Sequence, residues 1–150
     1  MKIAIANDHR GIDLKNRLVE YLKQAGHEVD NKGTDSDETS VDYPDYAAMV
    51  CELVSQGDVE RGILICGSGI GMNIAANKHQ NVRSVRAVDE NDAEMCRRHN
   101  NANVLCLSAD RIGQGTVDRL IDIWLTTAFE GGRHERRVNK LGEIENRPSC

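Results

Sequence analysis

The chain has 150 residues, a net charge of −5, and 39% apolar and 29% charged residues. That length allows one domain, spanning 1–150, with a proper core and gives no reason to divide it. The acidic balance argues against the broad basic surface of a nucleic-acid or anionic-membrane binder, and no apolar run approaches the roughly 20 residues of a membrane span.

Aromatic residues make up only 3% of the chain, so Ile, Leu, Val, Ala and Met must build the core. KIAIAN (2–7) reads as a buried strand. From Gly11 to Ala25, the residues Ile12, Leu14, Leu18, Val19, Leu22 and Ala25 recur at helical spacing, and Gly26 closes that helix as a C-cap. HEVDNKG (27–33) is a more polar strand, expected near a sheet edge. The acidic loop TDSDETSVDYP leads into a helix over 44–56, with Pro44 near its first turn. GILICG (62–67) has the most buried pattern of the strands, and a glycine-rich turn joins it to a helix over 70–79. SVRAV (84–88) is the fourth strand, a helix follows over 90–100, and VLCLSA (104–109) is the fifth strand. Val117, Leu120, Ile121, Trp124 and Leu125 stripe a helix over 114–128, and after EGG an Arg-rich helix spans 133–146. Five short strands alternating with helices predict an α/β fold, a parallel sheet covered on both faces. The pattern leaves the strand order open.

The five cysteines form no CxxC pair, and most sit in apolar segments. With MKIAIANDHRG running straight into a strand rather than a signal-peptide layout, this predicts a cytoplasmic protein with free thiols.

In open α/β sheets, ligands bind outside the C-terminal ends of the strands. Strand one ends in Asn7-Asp8-His9-Arg10-Gly11, an acid and an imidazole suited to proton transfer or to a polar ligand. The alternative is that Asp8 caps the next helix. Strand three ends in Cys66-Gly67-Ser68-Gly69-Ile70-Gly71, where alternate glycines bring backbone N–H groups close to a ligand at a helix start. That arrangement suits an oxyanion, and a helix N-terminus favours the thiolate form of a neighbouring cysteine. As a nucleotide fingerprint it is poor, being GxGxG after strand three. Cys51 and Cys106 read as small buried hydrophobes; Cys66 lies on the rim.

His99 and Asn100 end the fourth helix, which leads into the N-terminal edge of strand five, whereas Asp8 and Cys66 sit at the opposite edge. Either His99 is a bystander, or it serves the site of another subunit. Arg133 and Arg137 share a helix face and suit a phosphate dianion, with Arg111 a further basic candidate. The plain alternative is a solvated helix paired with Glu130, Glu135 and Glu143.

The segments NDHRG, DYPDYA, GILICGSGIGMNIAANK, RRHNNANVL and EGGRHERRV, in that order, resemble the type B ribose-5-phosphate isomerases and their galactose- and allose-phosphate relatives across nearly the whole chain. The resemblance implies a Rossmann-like three-layer α/β/α sandwich, no metal or organic cofactor, and at least a homodimer with shared active sites, leaving open whether a dimer of dimers forms. It implies an aldose–ketose isomerase for a phosphorylated sugar, ribose 5-phosphate to ribulose 5-phosphate, in pentose phosphate metabolism. Cys66 then moves the carbon-bound proton. Ser68, the amides of Gly67, Gly69, Ile70 and Gly71, and the partner's Asn100 hold the enediolate oxygens. The partner's His99 opens the furanose ring near Asp8, and His9, Arg111, Arg133 and Arg137 bind phosphate. Some members carry a glutamate base four residues beyond the serine; Met72 occupies that place here, which implies the cysteine mechanism. Allose 6-phosphate, galactose 6-phosphate or a tetrulose phosphate are alternative substrates, and a non-catalytic ligand-binding module is the alternative class. Arg10 stands where it would influence which sugar fits. Arg86, placed inside a strand, predicts a carboxylate partner or exposure at the strand's end.

Overall fold

A computed structural model of the protein describes residues 1–146; Cys150 and the end of the tail lie outside them. Five strands form one parallel sheet in the order β2-β1-β3-β5-β4: β1 (Lys2–Asn7), β2 (Glu28–Asn31), β3 (Arg61–Cys66), β4 (Ser84–Arg86) and β5 (Val104–Ser108). The helices are α1 (Ile12–Gln24), α2 (Tyr43–Gln56), α3 (Ile70–Ala76), α4 (Glu90–Asn100), α5 (Gln114–Thr126) and α6 (Arg133–Glu145).

Alternation along the central strands divides the core in two. Ile3, Ile5, Ile63, Ile65, Leu105 and Leu107 face α1, α4 and α5, with fully buried Trp124 among them. Ala4, Ala6, Leu64, Cys66 and Cys106 face α2 and α3. The result is the expected three-layer sandwich. The polar second strand does lie at an edge. Gly26, at φ +84, ends α1: its N–H meets the Lys23 carbonyl and that of His27 meets the Leu22 carbonyl, a Schellman closure.

The third helix departs from the predicted 70–79. It stops at Ala76, because the Asn77 side chain accepts from the Ser84 N–H at 2.9 Å and donates to the Ser84 carbonyl at 2.8 Å. Those bonds turn the chain toward β4. Arg86 closes β4, which is an edge strand and not a central one. Its Nε donates to the Ser68 backbone carbonyl at 2.7 Å, taking the place of the expected carboxylate. Among the described residues, no helix is long and apolar enough to cross a membrane.

Candidate active site

β1 and β3 are neighbours, but the chain leaves them toward opposite sides of the sheet, β1 to β2 and β3 to the β5–β4 side. Their C-terminal ends therefore flank the crevice where such sheets bind ligands. There a cleft of about 300 Å³ opens. The β1 loop supplies Asp8 and Arg10, the β3 turn supplies Cys66, Gly67, Ser68 and Gly71, the β5 loop supplies Asp110 and Arg111, and Tyr43 comes from the start of α2.

Cys66 is the last residue of β3 and only 4% exposed, so its sulfur meets the cleft without facing open solvent. The N–H of Gly69 donates to Cys66 Sγ at 3.1 Å, a bond that an ionised sulfur accepts more strongly. Gly69 adopts φ +74, where a side chain would be strained, and a Cβ there would come within 3.1 Å of the Leu107 backbone. The turn is held from several directions. Ser68 Oγ accepts the Ile70 N–H at 3.2 Å, and the Gly67 carbonyl accepts Ser108 Oγ–H at 2.6 Å and the Asp110 N–H at 3.2 Å. The amides of Gly69 and Ile70 thus already serve Cys66 and Ser68, a finer division than the sequence indicates.

Asp8 is 6% exposed and does not cap α1, whose N-cap is Gly11. Its Oδ1 accepts the Arg10 N–H at 2.9 Å, which ties the loop and holds the carboxylate at the cleft. Arg10 Nη2 reaches Asp110 Oδ2 at 2.9 Å, an exposed pair lying against Gly67. His9 lines an adjoining hollow that shares Arg10, and its Nδ1 accepts the Val41 N–H at 3.4 Å. Met72 is fully buried in the core beneath the turn.

His99, Asn100 and Arg137 lie elsewhere, in a second cleft of about 330 Å³ with His134. Asn100 precedes β5, whose far end, Ser108, pairs with Cys66. The four strand steps from Val104 to Ser108 alone separate the two ends by about 13 Å. One chain therefore brings together Asp8, Cys66, Gly67, Ser68, Gly71 and Arg111, and keeps His99, Asn100, Arg133 and Arg137 apart from them.

In this second cleft the His99 and His134 rings stack 4.1 Å apart and within 3° of parallel. Glu130 Oε2 sits 3.8 Å from His99 Nε2 and 3.6 Å from His134 Nε2, and Arg98 Nε donates to Glu130 Oε1 at 2.6 Å. The Arg98 guanidinium holds the Glu130 carboxyl below the usual carboxylate range. Burial pushes His134 below the usual imidazole value, and His99 and Arg133 push the same way. His99, Glu130 and His134 are close enough together to suggest a metal site. Ring lone pairs lie in the ring planes, however, and parallel planes do not converge on one ion. The donor set does not fit a metal.

Tyr43, Asp110 and His134 received no role from the sequence, and Glu130 only that of an ion-pair partner for the last helix. Tyr43 falls inside the segment DYPDYA, Glu130 and His134 fall inside EGGRHERRV, and Asp110 directly precedes Arg111, but none of these positions marks a role by itself.

A thiol, a carboxylate, a hydroxyl and a glycine turn meet at the switch point of a doubly wound sheet, a set of groups suited to moving protons on a small, oxygen-rich ligand. A family model described as ribose/galactose isomerase matches residues 3–141. The chain is 43% identical over 146 residues to ribose-5-phosphate isomerase B of Escherichia coli, covering 97% of each. It superposes with a TM-score of 0.94 on Clostridium thermocellum ribose-5-phosphate isomerase B, at 46% identity and 97% coverage of each chain. The Mycoplasma genitalium ribose-5-phosphate isomerase B structure with bound ribulose-5-phosphate also gives 0.94, at 40% identity, covering 98% of this chain and 97% of that one. The chain belongs to the ribose/galactose isomerase family.

Proposed function

We propose that this isomerase interconverts ribose 5-phosphate and ribulose 5-phosphate through an enediolate, with Cys66 as the carbon acid–base, in a cytoplasmic homodimer with shared sites. The observation that carries this is Cys66 Sγ at the end of β3, bonded by the Gly69 N–H and opening on the cleft that holds Asp8 and Ser68.

On the open-chain aldose, the Cys66 thiolate takes the proton from C2, and the electron pair moves through C1 onto the carbonyl oxygen. The enediolate oxygens then lie against Ser68, Gly67 and Gly71, while the Gly69 and Ile70 amides hold Cys66 and Ser68 in place, with Asn100 of the partner subunit beside them. Preorganised donors stabilise that charge without rearranging. After a proton shifts between the oxygens, the thiol returns its proton to C1 and leaves the ketose. His99 of the partner subunit opens the ring beside Asp8. His9, Arg111 and the partner's Arg133 and Arg137 hold the phosphate, whose binding energy positions the chain. This chemistry runs on side chains and backbone amides alone.

The two separated clefts support the dimer, since each lacks what the other carries. Tyr43, Ile70 and Ile74, on the elements flanking the first cleft, are exposed, as a face covered by a second copy would be. Four free cysteines among the described residues fit a reducing compartment.

The test is turnover of the purified protein, without added metal or cofactor, on ribose 5-phosphate, allose 6-phosphate, galactose 6-phosphate and a tetrulose phosphate. The expected result is a clear preference for ribose 5-phosphate. Cys66→Ala should lower kcat about 100- to 10,000-fold with KM little changed, because the thiol moves a proton and does not hold phosphate. No turnover on any sugar phosphate, or a Cys66→Ala variant with near-normal kcat, would overturn the assignment.

A further inference from the structure

Glu130 lies between α5 and α6 and receives no role in the chemistry above, yet three charged or titratable side chains converge on it. Its backbone N–H donates to the Arg98 carbonyl at 3.0 Å, and its Oε1 is taken by the Arg98 guanidinium. Arg98 is itself braced by Glu94 at 2.9 Å. That anchoring leaves Oε2 aimed at the Nε2 atoms of the stacked His99 and His134.

The two imidazoles are not equivalent. Arg133 Nε donates to His134 Nε2 at 3.3 Å, so that nitrogen is an acceptor and the His134 proton resides on Nδ1. His134 Nε2 therefore has no proton to offer Glu130. The remaining donor facing Oε2 is His99 Nε2–H, 3.8 Å away: an electrostatic contact longer than a hydrogen bond, in which the carboxylate favours a facing N–H over a facing lone pair.

We propose that Glu130 is a positioning residue: through its Oε2 it keeps the His99 proton on Nε2 and sets the ring against His134, so that Nδ1 of His99 is the nitrogen presented to the sugar. This rests on the assignment of ring opening to His99. In that step Nδ1 takes the proton of the anomeric hydroxyl as the bond from C1 to the ring oxygen breaks. The hydroxyl electron pair forms the carbonyl, the bond pair stays on the ring oxygen, and Nδ1 returns the proton there. Nothing is oxidised or reduced. A wrong tautomer would present Nδ1–H, a donor where an acceptor is needed.

The effect should be confined to ring opening. Ribulose 5-phosphate has its terminal hydroxyl blocked by phosphate and does not form a furanose, so removal of a C1 proton by Cys66 bypasses His99. In Glu130→Gln, turnover of ribose 5-phosphate should fall about 10- to 100-fold in kcat with KM little changed, the scale of a misaligned catalytic group. Incorporation of deuterium from heavy water into C1 of ribulose 5-phosphate should stay within about twofold of the wild type, as expected for a step that does not use the oriented imidazole. Unchanged turnover, or turnover and exchange falling in parallel as they would for a merely structural residue, would overturn the proposal. A readout without any variant is the histidine ring ¹H–¹⁵N spectrum of the wild-type protein, expected to show His99 protonated on Nε2 and His134 on Nδ1; the reverse at His99 would equally overturn it. A wild-type protein inactive on every sugar phosphate would instead sink the functional assignment beneath it.

Discussion

Four cysteines among the described residues share burial but not surroundings. Burial pushes the Cys51 thiol up to about 12 and the Cys96 thiol up to about 11, and pushes Cys106 further still. None of these three borders the cleft between the ends of β1 and β3, whereas Cys66 does. Alkylation needs both a path to the sulfur and access to the thiolate. Iodoacetamide at neutral pH, read by peptide mapping, should therefore modify Cys66 while leaving Cys51, Cys96 and Cys106 intact. Ribose 5-phosphate should slow that modification. Equal labelling of Cys66 and Cys106 would mean that the cleft does not single out its thiol. The position of Cys66 was legible from the sequence, because a cysteine followed by Gly-Ser-Gly at a strand end has few bland explanations. Asp110 and Tyr43 were not, since what brings them to the cleft is tertiary placement rather than spacing.

At the scale of elements, the strands were readable because each is a short apolar run bounded by turn residues, and the helices because their apolar residues recur on one face. The strand order was not, because parallel strands joined by helical crossovers carry no mark of which neighbour they will take. The end of α3 was also hidden, as it depends on Asn77 meeting Ser84 from another element. α6 shows how one buried residue ties an element to pH. His134, in its first turn, is 5% exposed and faces His99, Glu130, Arg133 and Arg137. Its imidazole is held below the usual value, with burial as the largest cause, so the folded state prefers it neutral. As pH falls below about 6.5, the unfolded form takes up a proton that the docked form resists, and stability is lost by linkage. Hydrogen exchange should therefore show α6 opening more readily at pH 5.5 than at 7.5. His134→Gln, which carries no titrating proton, should flatten that difference for α6. A profile as steep in the variant as in the wild type would assign the pH dependence to another group.

The whole molecule carries two clefts, one with Cys66 and one with His99, that do not meet within one chain. Cys66 lies at the C-terminal end of β3, while His99 lies on a helix that enters β5 from the other end. Sequence order alone made that conflict visible, since helix direction and strand direction are fixed by a parallel sheet. A two-fold dimer resolves it if the second cleft of one subunit faces the first cleft of the other, which gives two composite sites. The consequence is a complementation experiment. Cys66→Ala and His99→Ala homodimers should each be close to inactive, because every site lacks one group. In a mixed dimer, the Cys66 of one chain meets the His99 of the other, so one site is whole and the second lacks both. With free exchange, half of the dimers are mixed and half of their sites are whole, so an equimolar mixture should recover about a quarter of wild-type activity. Exchange is verified by native mass spectrometry of differently tagged chains before activity is read. If verified mixed dimers stay as inactive as their parents, His99 does not serve the partner's cleft. In that case the separation of the two clefts would mark His99 as a bystander to the Cys66 site.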